Sequence, residues 1–218
     1  MSILRQNWKF ATAALLALIA GLWVSFSQFG PGRAGGQPPD IQGFFWPDQK
    51  TLEPFSMQSH RGTPFTLEDL QDNWTLLFFG YTYCPDICPV TMSLLREATG
   101  LYKETAPGSL GDLSVAFVSV DGERDTPEHL AGYIRFYDEG WLAASGSRAE
   151  VDSLTTQIGI PYEIEAHEPG AMDYLVAHPG SLYLISPDSR LAAIFHPPFD
   201  ARELSEQLLQ IRQFMASS

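Results

Sequence analysis

Two cysteines stand four residues apart in the segment Tyr81-Thr82-Tyr83-Cys84-Pro85-Asp86-Ile87-Cys88-Pro89, and the chain has no others. At i, i+4 spacing two sulfurs can point at one centre. A pair of thiolates is a soft ligand set and selects soft ions, Cu(I) foremost. It does not by itself saturate zinc, but the five histidines of the chain leave room for a mixed site. The same pair is a candidate redox dithiol if the backbone brings its Cβ atoms to about 4 Å. A purely structural disulfide is the weaker reading. So small a loop gains only about 2 kcal/mol of chain entropy, against about 3 kcal/mol for fifteen residues. Dithiol oxidoreductases of the thioredoxin type use C-x-x-C. The wider C-x-x-x-C bite favours a metal site.

The elements around the pair follow from apolar patterning. Trp74 to Phe79 is a continuous apolar run that reads as a buried strand. It delivers the cysteines to its C-terminal end, where open α/β sheets place their sites. Val90 to Glu104 carries Met92, Leu95, Ala98 and Tyr102 at helical spacing. With Cys88 as its cap, Pro89 is the first helical residue, where a missing N–H costs nothing. A helix N-terminus there lowers the pKa of a nearby thiol. Leu113 to Val120 reads as a second buried strand, and Thr126-Pro127 opens a second helix. Short strands are expected at Tyr162–Glu165 and Tyr174–Ala177, and a short helix over Ala149–Ile158. The turn SPDSR between Ser181–Ile185 and Leu191–Phe195 predicts a hairpin, and Ala201–Met215 an amphipathic closing helix. An N-terminal hairpin is expected over Pro54–Leu70, around the Arg61-Gly62-Thr63 turn. Strand–helix–strand–helix followed by hairpin and helix is an α/β order, matching a thioredoxin-like core with an added β-hairpin.

The chain has 218 residues, 44% of them hydrophobic, which suits one domain plus an appendage. Its net charge of −13 argues against nucleic acid, which needs a basic footprint. No G-x-S-x-G elbow, P-loop or Rossmann glycine pattern is present. Residues 1–33 hold Arg5, Lys9 and Arg33 and no acid. Phe10 to Phe29 is free of charge and, as a helix, spans about 30 Å, the thickness of a bilayer core. The basic residues before it place the N-terminus in the cytoplasm, and no A-x-A-like cleavage site follows Trp23. The expected organisation is a cytoplasmic start at 1–9, a transmembrane anchor at 10–29, a Gly/Pro-rich linker at 30–40 and a folded domain at 41–218. The expected location is a bacterial inner membrane, with that domain in the periplasm.

Three blocks resemble the Sco/SenC family of copper-binding, thioredoxin-like proteins. The first is Phe78-Phe79-Gly80-Tyr81-Thr82-Tyr83-Cys84-Pro85-Asp86-Ile87-Cys88-Pro89. The second runs Val118-Ser119-Val120-Asp121-Gly122-Glu123-Arg124-Asp125-Thr126-Pro127, and the third Tyr174 to Ile185. The resemblance covers Pro54 to about Phe214. It implies Cys84 and Cys88 as thiolate ligands, His178 as imidazole ligand of one copper ion, Cu(I) or Cu(II), and Asp121 as an acid near the site. It also implies a function: copper delivery to the Cu-A-bearing subunit of cytochrome c oxidase after loading by an upstream copper donor, thiol reduction of that centre's cysteines, or both. Two departures stand out. Gly122 replaces a usual proline and is expected to loosen its turn. Ala177 replaces an acid that would hydrogen-bond next to the histidine. Pro179 restricts His178 to extended geometry.

A membrane-tethered copper metallochaperone is therefore the leading reading. A thiol:disulfide oxidoreductase using Cys84 and Cys88 is the alternative, and enzymatic turnover is expected only in that case. A peroxide-reducing relative fits less well, because the cysteines are paired and flanked by prolines. Dithiol exchange has no need of a distant imidazole. Among the other histidines, His60 beside Met57 is a minor candidate for transient copper contact. His129 and His167 read as solvated, and His196 as packed at a strand end.

Overall fold

The computed structural model describes residues 18, 19, 21, 38–106, 108 and 113–217. The chain divides into two units, Met1–Gln37 and Pro38–Ser218. In the first, Leu18, Ile19 and Gly21 are helical, and the expected anchor at 10–29 otherwise lies outside the described residues. Among the described residues no helix is long and apolar enough to cross a membrane.

The second unit is built on strand β4, Trp74–Gly80, every residue of which is buried. It pairs in parallel with β5, Leu113–Ser119, and antiparallel with β9, Leu182–Ile185. A strand flanked on both sides and covered on both faces reads as a near-continuous apolar run, here interrupted by the buried Thr75. That is why the run WTLLFF shows no alternation. Its side chains nevertheless divide by parity. Leu76 and Phe78 enter the core beneath α1, Ile87–Thr105, α2, Pro127–Tyr137, and α4, Ala201–Ser217. Leu77 and Phe79 enter the opposite core with α3, Arg148–Ile158.

Among the described residues the main sheet has eight strands, in the order β1 (Gly43–Thr51), β10 (Arg190–Phe195), β9, β4, β5, β6 (Leu142–Ser145), β2 (Ser56–Ser59) and β3 (Pro64–Thr66). The expected hairpin is present as β2, Ser56–Ser59, and β3, Pro64–Thr66, followed by a 3-10 turn at Leu67–Leu70. It joins the sheet through β6, Leu142–Ser145, a strand too short and small in its side chains to show in the patterning. β1, Gly43–Thr51, is a second unforeseen strand, paired with β10, Arg190–Phe195. Its sequence contains Pro47, which argues against a strand unless it lies at an edge or a bulge. Both conditions hold: β1 is the edge, and its register slips between Phe45 and Lys50. The thioredoxin-like α/β core expected from the sequence is thus in place, with strands added at both edges. A separate two-stranded ribbon pairs β7, Glu163–Ile164, with β8, Val176–Ala177.

The start of α2 follows the expected signal. Thr126 caps α2 by accepting from His129 N at 3.3 Å, with Pro127 in the first turn. Ser147 and Glu150 form a reciprocal capping box on α3. The start of α1 differs from expectation. Asp86 is its cap, the helix begins at Ile87, and Cys88 and Pro89 both lie in the first turn. Pro89 remains harmless there because first-turn N–H groups have no intrahelical partner.

The core predicts its own energetics. Phe79 is fully buried and packs edge-on against Tyr183 at 5.6 Å, whereas Phe136 is 74% exposed. Phe79→Ala should lower unfolding free energy by about 3–5 kcal/mol, and Phe136→Ala by no more than about 0.5 kcal/mol. Urea unfolding of the two variants checks this contrast.

Candidate metal centre

Strand β4 ends at Gly80, and the chain turns through Tyr81–Pro85 into α1. The turn is closed by Cys84 N donating to Tyr81 O at 3.2 Å. Gly80 is required by what lies above it. A Cβ at this position would sit 2.6 Å from Cys88 Sγ and 3.1 Å from the Phe117 ring. Without a side chain, the first turn of α1 settles onto the strand end and Cys88 is fully buried. Cys84 is half-buried, and both cysteines are free thiols.

The third block arrives from the ribbon. His178 directly follows β8 and reaches the cysteines across ninety residues of sequence. Its Nε2 lies 3.5 Å from Cys88 Sγ. The ligand atoms of Cys84, Cys88 and His178 all fall within 4.8 Å of one another. The imidazole is walled by Tyr81, edge-on at 5.7 Å, and by Phe78 at 6.3 Å. His178 Nδ1 lies 3.2 Å from the Pro179 carbonyl. As the donor of that bond, Nδ1–H leaves the Nε2 lone pair facing the sulfurs.

Burial sets the protonation of the site. It pushes the Cys88 thiol well above its ordinary pKa, against a weaker opposing backbone hydrogen bond involving Tyr81. This corrects the expectation from the helix N-terminus. A dipole lowers the pKa of an accessible thiol, but the Cys88 side chain points from the first turn into the core, where desolvation of the thiolate outweighs it. Burial likewise lowers the pKa of His178, only partly offset by hydrogen bonding to Pro179 and Phe79. The imidazole is therefore neutral near pH 7, the form that can donate a lone pair to a metal.

The remaining sequence candidates resolve individually. Ala177 is exposed, and the imidazole donates its hydrogen bond to the adjacent Pro179 carbonyl rather than to an acid. Gly122 does not loosen its turn. A Cβ there would overlap the Gly146 carbonyl oxygen, so the glycine admits a closer backbone approach than any other residue could. Asp121 is buried and paired with Arg124, not directed at the sulfurs. His60 does not belong to the centre. Its Nδ1 engages the Ala143 backbone at 3.0–3.2 Å, and Met57 is buried. His129 is exposed and stacks on Tyr83 at 5.1 Å. His196 is exposed at the end of β10, bonded to Ser181 Oγ at 3.0 Å. His167 is not simply solvated: it stacks on Tyr174 at 3.6 Å and pairs with Glu123 at 3.0 Å.

The SCO1/SenC family model matches residues 47–213. The chain belongs to the SCO1/SenC family. A Stutzerimonas stutzeri protein named for copper binding is 31% identical over 165 residues, covering 76% of this chain and 78% of that protein. The human mitochondrial SCO1 homologue is 33% identical over 146 residues, covering 65% of this chain and 46% of its own length. This SCO1/SenC chain therefore spans about half the length of that mitochondrial relative. Among solved structures, Arabidopsis thaliana ScoI with copper bound is 33% identical, with a TM-score of 0.67, covering 74% of this chain and 98% of its own. Bradyrhizobium japonicum ScoI with copper bound is 29% identical, with a TM-score of 0.62, covering 72% and 97%.

The unequal burial of the two thiols has a measurable consequence. A protonated, buried thiol is a poor nucleophile. One equivalent of iodoacetamide at neutral pH should label Cys84 in preference to Cys88 in the reduced protein. Peptide mass spectrometry reads the ratio, and equal labelling would contradict the burial of Cys88.

Proposed function

We propose that this SCO1/SenC protein binds one copper ion through Cys84, Cys88 and His178 and delivers it to the Cu-A-bearing subunit of cytochrome c oxidase. One observation carries the reading: two thiols and a neutral imidazole converge from distant parts of the chain, with Nε2 facing the sulfur pair. A disulfide exchange centre has no chemical use for that imidazole. Relatives with copper bound support the same reading. So does the chemistry of the donor set. Two thiolates and a neutral imidazole leave bound Cu(I) with one net negative charge and Cu(II) with none, so neither oxidation state buries a large uncompensated charge. Soft sulfur holds Cu(I), and the nitrogen completes a set that suits Cu(II) as well.

The half-buried Cys84 marks the side from which copper enters and leaves. Transfer proceeds by ligand exchange: an incoming thiolate of the target takes a position on copper as a ligand of this chain lets go. We place the folded domain in the periplasm, tethered by residues 10–29, so that loading by an upstream copper donor and unloading onto the oxidase occur at one membrane face. The uncharged length of that segment and the basic residues before it support the tether.

One accessible and one buried thiol also suit a thiol:disulfide reductase, with Cys84 attacking and Cys88 resolving. Copper titration separates the two. The full chain, reduced, should bind one equivalent of copper, whether supplied as Cu(I) or as Cu(II). His178→Ala should weaken Cu(II) at least about tenfold and Cu(I) far less, because only Cu(II) depends strongly on the nitrogen. Equal losses would remove the imidazole from the site. No tight copper, with ready turnover of a disulfide substrate, would establish the reductase.

The pH dependence has a fixed sign. Ligands must be deprotonated before they bind a metal. Cys88 carries its proton at neutral pH because burial raises its pKa, whereas His178 is already neutral. Copper uptake should therefore release protons, and apparent affinity should rise with pH through neutrality. Proton release in weakly buffered solution should be unchanged in His178→Ala at saturating Cu(I).

A further inference from the structure

The turn between β5 and α2 touches both segments that carry the ligands. Toward the cysteines, the buried Asp125 carboxylate accepts from Thr82 N at 2.9 Å and from Thr82 Oγ1 and Ser119 Oγ at 2.5 Å each. Thr82 lies two residues before Cys84. Toward the histidine, Arg124 Nη1 donates to the carbonyls of Met172 at 3.0 Å and Tyr174 at 2.9 Å. These carbonyls lie on the strand of chain that runs into β8 and His178.

Arg124 is itself held rigidly. Its side chain is 2% exposed, and Nε donates to Asp121 Oδ2 at 2.5 Å. The other Asp121 oxygen accepts from the Tyr174 hydroxyl at 2.7 Å. The guanidinium lies 3.5 Å from the centre of the Tyr174 ring, and the His167 ring stacks at 3.6 Å. Two planar groups so close to one ring occupy its opposite faces. The guanidinium also lies 5.3 Å from the centre of Tyr81, the ring that walls the His178 imidazole.

The ribbon's own pairing is short. It pairs Glu163 with Ala177 and Ile164 with Val176, extended by Glu165 N donating to Leu175 O at 3.0 Å, and it packs through Tyr174 and Val176; a two-stranded ribbon alone is at best marginally stable. Its position is set by tertiary bonds, several of which converge on one guanidinium.

We propose that Arg124 is a positioning residue that holds the His178 imidazole over the sulfur pair and thereby sets the balance between Cu(II) and Cu(I) binding. This rests on the reading that His178 ligates copper. Release of the ribbon lets the imidazole leave the centre while Cys84 and Cys88 stay in place on β4 and α1. Cu(I), held by sulfur, is then spared, and Cu(II) is not. Lysine cannot replace Arg124 here. It keeps a positive charge for Asp121 but lacks the planar guanidinium, which bonds Asp121 through Nε and both carbonyls through Nη1 while its plane lies over the Tyr174 ring.

The test compares wild type with Arg124→Lys in the full chain, using Cu(II) sulfate and, anaerobically, Cu(I) against a competing chelator. Arg124→Lys should weaken Cu(II) about tenfold and Cu(I) no more than about threefold. Imidazole nitrogen coupling in the Cu(II) electron paramagnetic resonance spectrum should diminish. In the metal-free protein, amide exchange should accelerate across residues 165–178 and stay unchanged in β4. Tyr174→Phe keeps the ring and removes only its bond to Asp121. It should shift the same readouts in the same direction by about threefold, and it decides the question if the lysine variant does not fold. Unchanged Cu(II) affinity with unchanged exchange, or equal loss of Cu(I) and Cu(II), would overturn the positioning role alone. Absence of nitrogen coupling in the wild type would overturn the copper ligation by His178 and the positioning role with it.

Discussion

The centre depends on how closely the first turn of α1 approaches the end of β4. Gly80 makes that approach possible, because any side chain there would occupy the space of Cys88 Sγ. Burial of Cys88 follows from it, and with burial comes a thiol that keeps its proton until a metal displaces it. The same approach leaves Cys84 in the connecting turn, nearer solvent. One strand end therefore produces two chemically different thiols four residues apart: one anchoring, one accessible. Desolvation rather than the helix dipole governs the inner thiol, since a partial charge at a helix terminus is a small term beside the removal of water from a thiolate.

The second constraint is the buried ion pair of Asp121 and Arg124. Such a pair is costly to desolvate and persists where its remaining hydrogen-bonding groups are used. Here Asp121 also accepts from Tyr174 and Arg124 Nη1 donates to two carbonyls, while Arg124 Nη2 is buried without a hydrogen bond among the described residues. The pair thus fastens a marginal ribbon onto the sheet. Gly122 lies between the two partners, and its close contact with the Gly146 backbone shows a tightly seated turn. A rigid cysteine loop and a tethered histidine segment meet at one point, which suits a site that must hold copper and later surrender it.

Much of this was legible in the residues. The apolar run ending at Gly80, the C-x-x-x-C spacing and the Thr126-Pro127 helix start each carry a local physical signal, and each element formed as the signal implied. β1 and β6 were hidden for local reasons. Pro47 contradicts a strand unless a bulge absorbs it, and Leu142–Ser145 is too short to display a period. His60 bonds Ala143, His196 bonds Ser181 and His167 reaches Glu123, each across fifteen or more residues, so no neighbouring residue announces these partners.

The sequence by itself determined the α/β order, the presence of a soft two-sulfur site at a strand end, and, through three motif blocks, the family and the histidine to look for. These are properties of periodicity, spacing and residue type, which local sterics and solvation read directly. Only the tertiary structure decided that His178 Nε2 faces Cys88, that the Cys88 thiol is raised rather than lowered in pKa, and that Gly122 tightens its turn. It also decided that Arg124 links the two ligand segments. Each of these depends on which surfaces come together across the chain and exclude water, and that is settled by packing rather than by neighbours in sequence.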